Sequence, residues 1–394
     1  MSTAEGTGPG RTAATERKLA PDLARGAMLL LIAMAYSGAY AGIAFGTPTP
    51  NLSGPDTVAR LLTVLFLDNR AFPMFAILFG YGMSWMVARQ RRAGTDETRI
   101  RRLFRRRSAF LLLFGAVHAF LVYQGEILTS YGLAGLVIGG LLFRPDQVLR
   151  RAIGVFAALY AVTTSMAMIG SAWVNQRGGG LPTEPVGYTT LEDWLGRLAA
   201  LPFLPLFLGI AYPLLLVVVI GFLAGRKGFL DDPDAHRPLL VRIAVVGVSL
   251  SALGALPAAL IEVGFLELDV VPTGLLLSMQ ILTGVVGGAG YAALFALLSL
   301  RLDRRRGPVT RAVAAVGQRS LTFYLFNSVV VALVLHPDLL GIGEHVSSLG
   351  ALVVGAASWL VALGLAAWMD RTGRAGPADA LMRHLVYRAS NRPG

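Results

Sequence analysis

The sequence predicts an all-α fold, a polytopic transmembrane helical bundle of about ten spanning helices with both termini on the cytoplasmic side. Three observations predict it. Of the 394 residues, 55% are hydrophobic and only 15% are charged, whereas a soluble domain is about 25% charged. Apolar runs follow one another so closely that no intervening segment can enclose an aqueous core of its own. The short loops between those runs alternate between arginine-rich and base-poor, which is the pattern the positive-inside rule imposes on a multi-pass protein.

The formal charge of +12 would suggest nucleic acid in a soluble protein, but here the excess arginine lies in the loops and is explained by topology. Cysteine is absent, which excludes disulfides, a thiolate nucleophile and cysteine-ligated metal.

Residues 1–17, rich in Gly, Thr and Ala, read as a disordered cytoplasmic tail. Residues 18–370 form the membrane domain and 371–394 a cytoplasmic C-terminal tail. The first apolar run, 24–45, follows Arg17, Lys18 and Arg25 and contains Ala39-Tyr40-Ala41, a combination shared with signal peptides. Its near-spanning length and the many similar segments after it favour a first span. Further spans are read at 72–87, 108–123, 127–143, 152–173, 201–224, 241–263, 271–300, 320–335 and 349–369. Each has roughly the 17–25 residues that cross the hydrocarbon, or falls slightly short and relies on its flanks. Two amphipathic stretches, 57–67 and 191–198, read as interfacial helices.

The loops orient the spans. Nine arginines from Arg89 to Arg107 fill one loop, Arg144, Arg150 and Arg151 the next on that side, followed by Arg226 and Lys227, then Arg301 to Arg306, then the C-terminal arginines. The alternate loops carry no excess of base, apart from Arg177 and Arg197 in 174–200.

Ionisable groups inside spans cost several kcal/mol, on the order of 2.5–3.5, unless paired or solvated, so each is a candidate for function. Asp22 and Arg25 stand at i, i+3 at the start of the first helix, as an interfacial ion pair or a functional one. Arg70 precedes the second span, either snorkelling or lining an outward cavity. Gly80-Tyr81-Gly82 offers small residues for close helix packing. His118 lies about ten residues into the third span, roughly 15 Å from its cytoplasmic end, as a reactive imidazole or one satisfied by a carbonyl. Glu126 follows in the tight outer turn and Tyr131 five residues later, so a hairpin could turn all three toward one cavity. The segment from Gly317 to Ser328 concentrates Arg319, Thr322, Tyr324 and Asn327, as interhelical hydrogen-bond glue or a ligand-lined face.

These segments carry a resemblance to the bacterial YeiB-like membrane proteins. The family's Arg, Asp, Arg-Gly opening is matched by Arg17, Asp22, Arg25 and Gly26; its Arg before Phe-Gly-Tyr-Gly by Arg70 and Phe79 to Gly82. Its Gly-x-x-His followed by Asp-Ile-Leu-x-x-Tyr is matched by Gly115, His118, Glu126-Ile127-Leu128 and Tyr131. The late motif falls on Gly317 to Ser328 and the closing one on Gly376, Pro377, Asp379 and Arg383. The match runs from about residue 17 to 388. Glu126 stands where relatives have Asp, Gln318 and Asn327 where they have Arg and Gln, and Ser37 about where many have Asn.

That family is similar in turn to transmembrane acyltransferases, including the lysosomal heparan glucosaminide acetyltransferase. The resemblance implies a bacterial inner-membrane, multi-pass acyltransferase that takes an acyl group from cytoplasmic acyl-CoA, with acetyl-CoA the natural donor and no metal. The lysosomal enzyme's outer-loop histidine has no counterpart in 46–59. In this reading His118 is the base, Glu126 orients it, and Tyr131 or Arg70 stabilises the oxyanion. Arg102, Arg105 and Arg106 hold phosphate, and Asp22, Arg25, Arg319, Tyr324 and Asn327 complete the binding residues. The partners expected are membrane lipids and a glycan or lipid-linked acceptor, with a homodimer allowed and nucleic acid excluded. The alternative is a transporter or channel for a small anionic or lipidic solute, using the same buried groups without a covalent step.

Overall fold

The computed structural model describes residues 18–41, 43, 46–49, 52–179 and 185–387. The expected tail 1–17 lies outside the described residues. Within them the chain is helical and contains no strand. In order the helices are α1 (Leu19–Ser37), α2 (Gly54–Phe66), α3 (Ala71–Arg92), α4 (Glu97–Leu121) and α5 (Leu128–Ile138). They continue with α6 (Asp146–Gln176), α7 (Leu191–Ala200), α8 (Phe203–Ile210), α9 (Leu214–Lys227) and α10 (Arg237–Glu262). The last are α11 (Val270–Asp303), α12 (Pro308–Gln318), α13 (Ser320–Leu335), α14 (Ser348–Arg371) and α15 (Pro377–Tyr387).

The all-α membrane fold is as expected, and among the described residues each expected span falls on helix except 201–224, which is broken at Ala211 to Pro213 into α8 and α9. Among the described residues, seven helical stretches are long and apolar enough to cross a membrane, or eight when α12 and α13, bent by 91° at Arg319, count as one span. The difference from about ten has physical causes. The apolar part of α4 begins only after Arg107, α5 stays short of spanning length even when continued as a 3-10 turn to Phe143, and α9 has 14 residues. The two amphipathic stretches are α2, whose N-terminal amide at Asp56 is capped by Ser53, and α7, closed by a reciprocal Thr190–Asp193 capping box.

The bundle turns an apolar surface outward. Val155, Val162 and Met166 of α6, Val245 and Leu253 of α10, and Val353 and Leu360 of α14 are exposed, an extent of contiguous hydrophobic surface that only lipid covers comfortably. Inside, small residues let helices approach. A side chain at Gly80 would collide with Val218 O of α9, and one at Gly221 with Ile77 O of α3, so the α3–α9 crossing depends on both glycines. Gly82, two residues on, has a different use: its missing side chain makes room for the Arg25 guanidinium.

The C-terminal segment is more than a tail. Helix α15 packs on α4 and α13, and Asp379 accepts hydrogen bonds from Thr322 N at 3.0 Å and Thr322 Oγ1 at 2.6 Å. Arg319 donates to Arg374 O at 3.0 and 2.9 Å and to Ala315 O at 3.2 Å, and stands 3.5 Å from Asp370. It fastens the α12–α13 bend to the end of α14.

Candidate functional site

Helix α4 begins at an Asp96 cap, which accepts from Thr98 N at 2.8 Å. It therefore runs from the arginine-rich loop to Leu121 and carries His118 in its last turn. His118 lies ten residues beyond Ser108, where the apolar part of the helix begins, and three before its last residue, Leu121. The ring is buried, its centroid 5.7 Å from that of Tyr324, and neither ring nitrogen has a hydrogen-bond partner among the described residues.

Glu126 is buried beside it but serves another purpose. Its carboxylate accepts from Leu128 N, from Thr129 N and Thr129 Oγ1 at 2.9 Å each, and from the Tyr324 hydroxyl at 3.4 Å. The first amides of α5 have no carbonyls to bond within the helix, and in a dry interior a carboxylate satisfies them well. Gly115 of α4 provides the space, since a side chain there would press on Thr129 and Glu126. The expected Glu126–imidazole hydrogen bond is not formed. Tyr131 does not join this group either: its ring is packed among Phe72, Phe75 and Phe79 at 5.0–6.0 Å and its hydroxyl donates to Phe72 O at 3.4 Å.

Tyr324 also accepts from Ile127 N at 3.3 Å, and its ring forms part of the wall of a cavity of about 420 Å³. Tyr36, Tyr123, Gly125 and Ile127 also line it, as do Arg60, Asp68, Asn69 and Tyr212, whereas His118 and Glu126 reach it only through their contacts with Tyr324. Arg60 lies 3.0 Å from Asp68 and pairs with Glu262, which also accepts from Gly46 N at 3.0 Å. Tyr212 donates to Asn69, whose backbone is left-handed at φ 58° and whose side-chain amide nitrogen is buried without a partner. Sequence reasoning missed this ion cluster because 57–67 read only as an amphipathic stripe and Glu262 fell at the end of the 241–263 span. The available signal was Arg60 itself, one of the few bases on the base-poor side.

Arg70 stands behind the cluster with its guanidinium occupied by backbone. It donates to Asp68 O, to Val64 O at 2.8 Å and to Ser251 O at 2.6 Å, which ties the open carbonyls at the end of α2 to α10. Asn327 accepts from Ser358 Oγ at 3.1 Å and joins α13 to α14.

The phosphate candidates lie elsewhere. Arg102 and Arg105 are exposed, and Arg106 is half-buried with its guanidinium 5.6 Å from the Phe110 ring centroid. They precede His118 on α4 by 12–16 residues, about 18–24 Å along the axis. Asp22 and Arg25 are 4.0 Å apart, and Arg25 reaches Leu78 O at 3.5 Å across Gly82. Among the described residues no three His, Asp or Glu side chains converge as a metal site.

The exceptional Arg197 of the 174–200 loop is explained. It is buried, donates to Gly187 O at 2.9 Å and Phe120 O at 3.3 Å as well as to Val186 O, and lies 3.8 Å from the Tyr188 ring centroid. Tyr188 in turn donates to Val122 O at 2.6 Å. Rings then step inward from Tyr188 to His336 at 4.5 Å, to Tyr40 at 6.0 Å, to Tyr123 at 5.7 Å and to Tyr36 at 5.3 Å, which connects this cap to the cavity wall.

Comparison with known proteins supports the YeiB-like resemblance. Residues 224–389 match the family described as a protein of unknown function, DUF418. The chain is 27% identical over 356 residues to the uncharacterized protein YxaH of Bacillus subtilis (strain 168), covering 85% of this chain and 83% of that one. It is 26% identical over 403 residues to the uncharacterized protein YeiB of Escherichia coli (strain K12), covering 95% and 97%. A 90-residue stretch is 37% identical to an uncharacterized 39.9 kDa protein of Bacillus acidopullulyticus, covering 23% of this chain and 25% of that one.

Proposed function

We propose that this YeiB-like, multi-pass membrane protein is an acyltransferase of the bacterial inner membrane. It takes an acyl group from cytoplasmic acyl-CoA to a hydroxyl or amine acceptor bound in the cavity beside Tyr324. The observation that supports this reading most is His118: a buried imidazole with both nitrogens unpartnered is costly to keep, and it stands against a tyrosine that lines a cavity. In the reaction the acceptor's oxygen or nitrogen attacks the thioester carbon. The new C–O or C–N bond forms as the C–S bond breaks, and the acceptor proton passes to His118 and on to the departing thiolate. Tyr324 guides the acceptor and Glu126 holds Tyr324. Arg102, Arg105 and Arg106 bind the carrier's phosphates at the other end of α4.

The test uses purified protein in lipid nanodiscs, labelled acetyl-CoA and an extract of envelope lipids and glycans, with chromatographic detection of labelled product. His118→Gln keeps polarity and size but removes the base, so transfer falls about 100- to 10,000-fold while acetyl-CoA binding is kept. Full transfer by this variant would sink the assignment. A second reading is favoured by the Arg60–Asp68–Glu262 cluster, which can bind a small polar solute with no covalent step. Solute flux through vesicles without any labelled product would select it.

A further inference from the structure

The outer surface at the basic end of the bundle carries a trough that the cavity and its residues do not use. It lies between the end of α5 and the start of α6, has a volume of about 570 Å³, and is bordered by Arg101, Arg144 and Arg151. Its floor is apolar. On α6, Val148, Arg151, Ala152 and Val155 fall at helical spacing on one face, with apolar Ala152 and Val155 following the arginine, and Val155 is 65% exposed. On the other wall a side chain added at Gly140 would meet nothing within 4 Å, so the groove is open there. The guanidinium of Arg101 lies 4.0 Å from the Phe143 ring centroid, which holds it over the rim.

The charge at this rim is unbalanced. Glu97 is taken by Arg91 at 3.2 Å and Arg101 at 2.6 Å, and Asp146 by Arg226 at 2.8 Å and Lys227 at 3.1 Å. Arg144 and Arg151 have no carboxylate partner among the described residues. We propose that this trough is a binding site for an anionic phospholipid, with its phosphate among Arg101, Arg144 and Arg151 and an acyl chain along Ala152 and Val155 past Gly140. A soluble phosphate would use the arginines but leave the apolar floor unfilled, whereas a zwitterionic lipid would fill the floor without matching the charge.

The test is native mass spectrometry of protein released from nanodiscs of phosphatidylcholine containing a minor fraction of phosphatidylglycerol. Phosphatidylglycerol is expected to remain bound in preference to phosphatidylcholine. Arg101→Gln with Arg144→Gln and Arg151→Gln should weaken its retention on the order of 100-fold, three basic contacts at a leaflet surface each contributing about fivefold. Gly140→Leu keeps every charge but fills the trough, and should weaken retention even where the triple variant inserts poorly. Arg301→Gln with Arg304→Gln and Arg305→Gln removes the same charge elsewhere on that side and should retain the lipid. Equal retention by Gly140→Leu, equal loss in the control triple, equal retention of phosphatidylcholine, or displacement by glycerol phosphate would each overturn the proposal.

Discussion

The hydroxyl of Tyr324 donates to Glu126 at 3.4 Å while its ring centroid stands 5.7 Å from that of His118, so one side chain links a helix cap to the imidazole. Tyr324→Phe removes that donor and the acceptor for Ile127 N, leaving the ring in place. A buried hydrogen-bonding group lost in this way costs about 1–2 kcal/mol. Thermal unfolding in detergent should show a lower midpoint, and the same midpoint as the parent would mean the hydroxyl makes no useful bond. If Tyr324 guides an acceptor, the transfer rate should fall further than stability explains.

Arg60 carries a heavier load, since it sits between Asp68 and Glu262. Arg60→Met leaves two carboxylates unmatched, Glu262 buried and Asp68 partly so, and breaking a buried pair from one side costs about 3–5 kcal/mol. Adding Glu262→Gln removes one of the stranded charges, so the double variant should be more stable than Arg60→Met alone. Additive losses in a double-mutant cycle would show that the pair is not coupled.

The cap formed by Tyr188, Arg197 and His336 should respond to pH. His336 Nδ1 accepts from Asp338 N at 3.1 Å, and Nε2 lies 3.2 Å from Val186 O, which makes the ring neutral with its proton on Nε2. Burial and nearby Arg197 pull its pKa below the ordinary imidazole value, against the opposing pull of the Val186 carbonyl, Asp338 and Asp193. The folded cap therefore binds this proton less readily than the unfolded chain. Its stability is full above the ordinary value, about 6.5, and declines as pH falls below it. Amide exchange at residues 185–190 should accelerate in that direction, and His336→Gln should flatten the dependence. An unchanged pH profile in the variant would assign the response to another group.

Topology can be checked with fusion reporters. Those after Arg107, Lys227 and Arg306 should be cytoplasmic and those at Gly125, Glu267 and Gly343 external, because bases concentrate at the first set of loops. A cytoplasmic signal at Gly125 would mean that α4 and α5 do not form a spanning hairpin.

Composition and loop charge were enough to make this chain a helical membrane protein, because transfer of apolar runs into lipid and the bias of arginine to one side are properties of segments, legible one at a time. The close packing at Gly80 was legible for the same reason, as was the anomaly of polar groups from Arg319 to Asn327. Partnership was not. Whether Glu126 orients His118 or caps α5 depends on where the α4–α5 hairpin turns, and that turn is set by Gly115 meeting Thr129 across the pair. Arg60 and Glu262 are separated by 202 residues, and only the packing of α2 on α10 brings their opposite charges together in a place where neither could be buried alone.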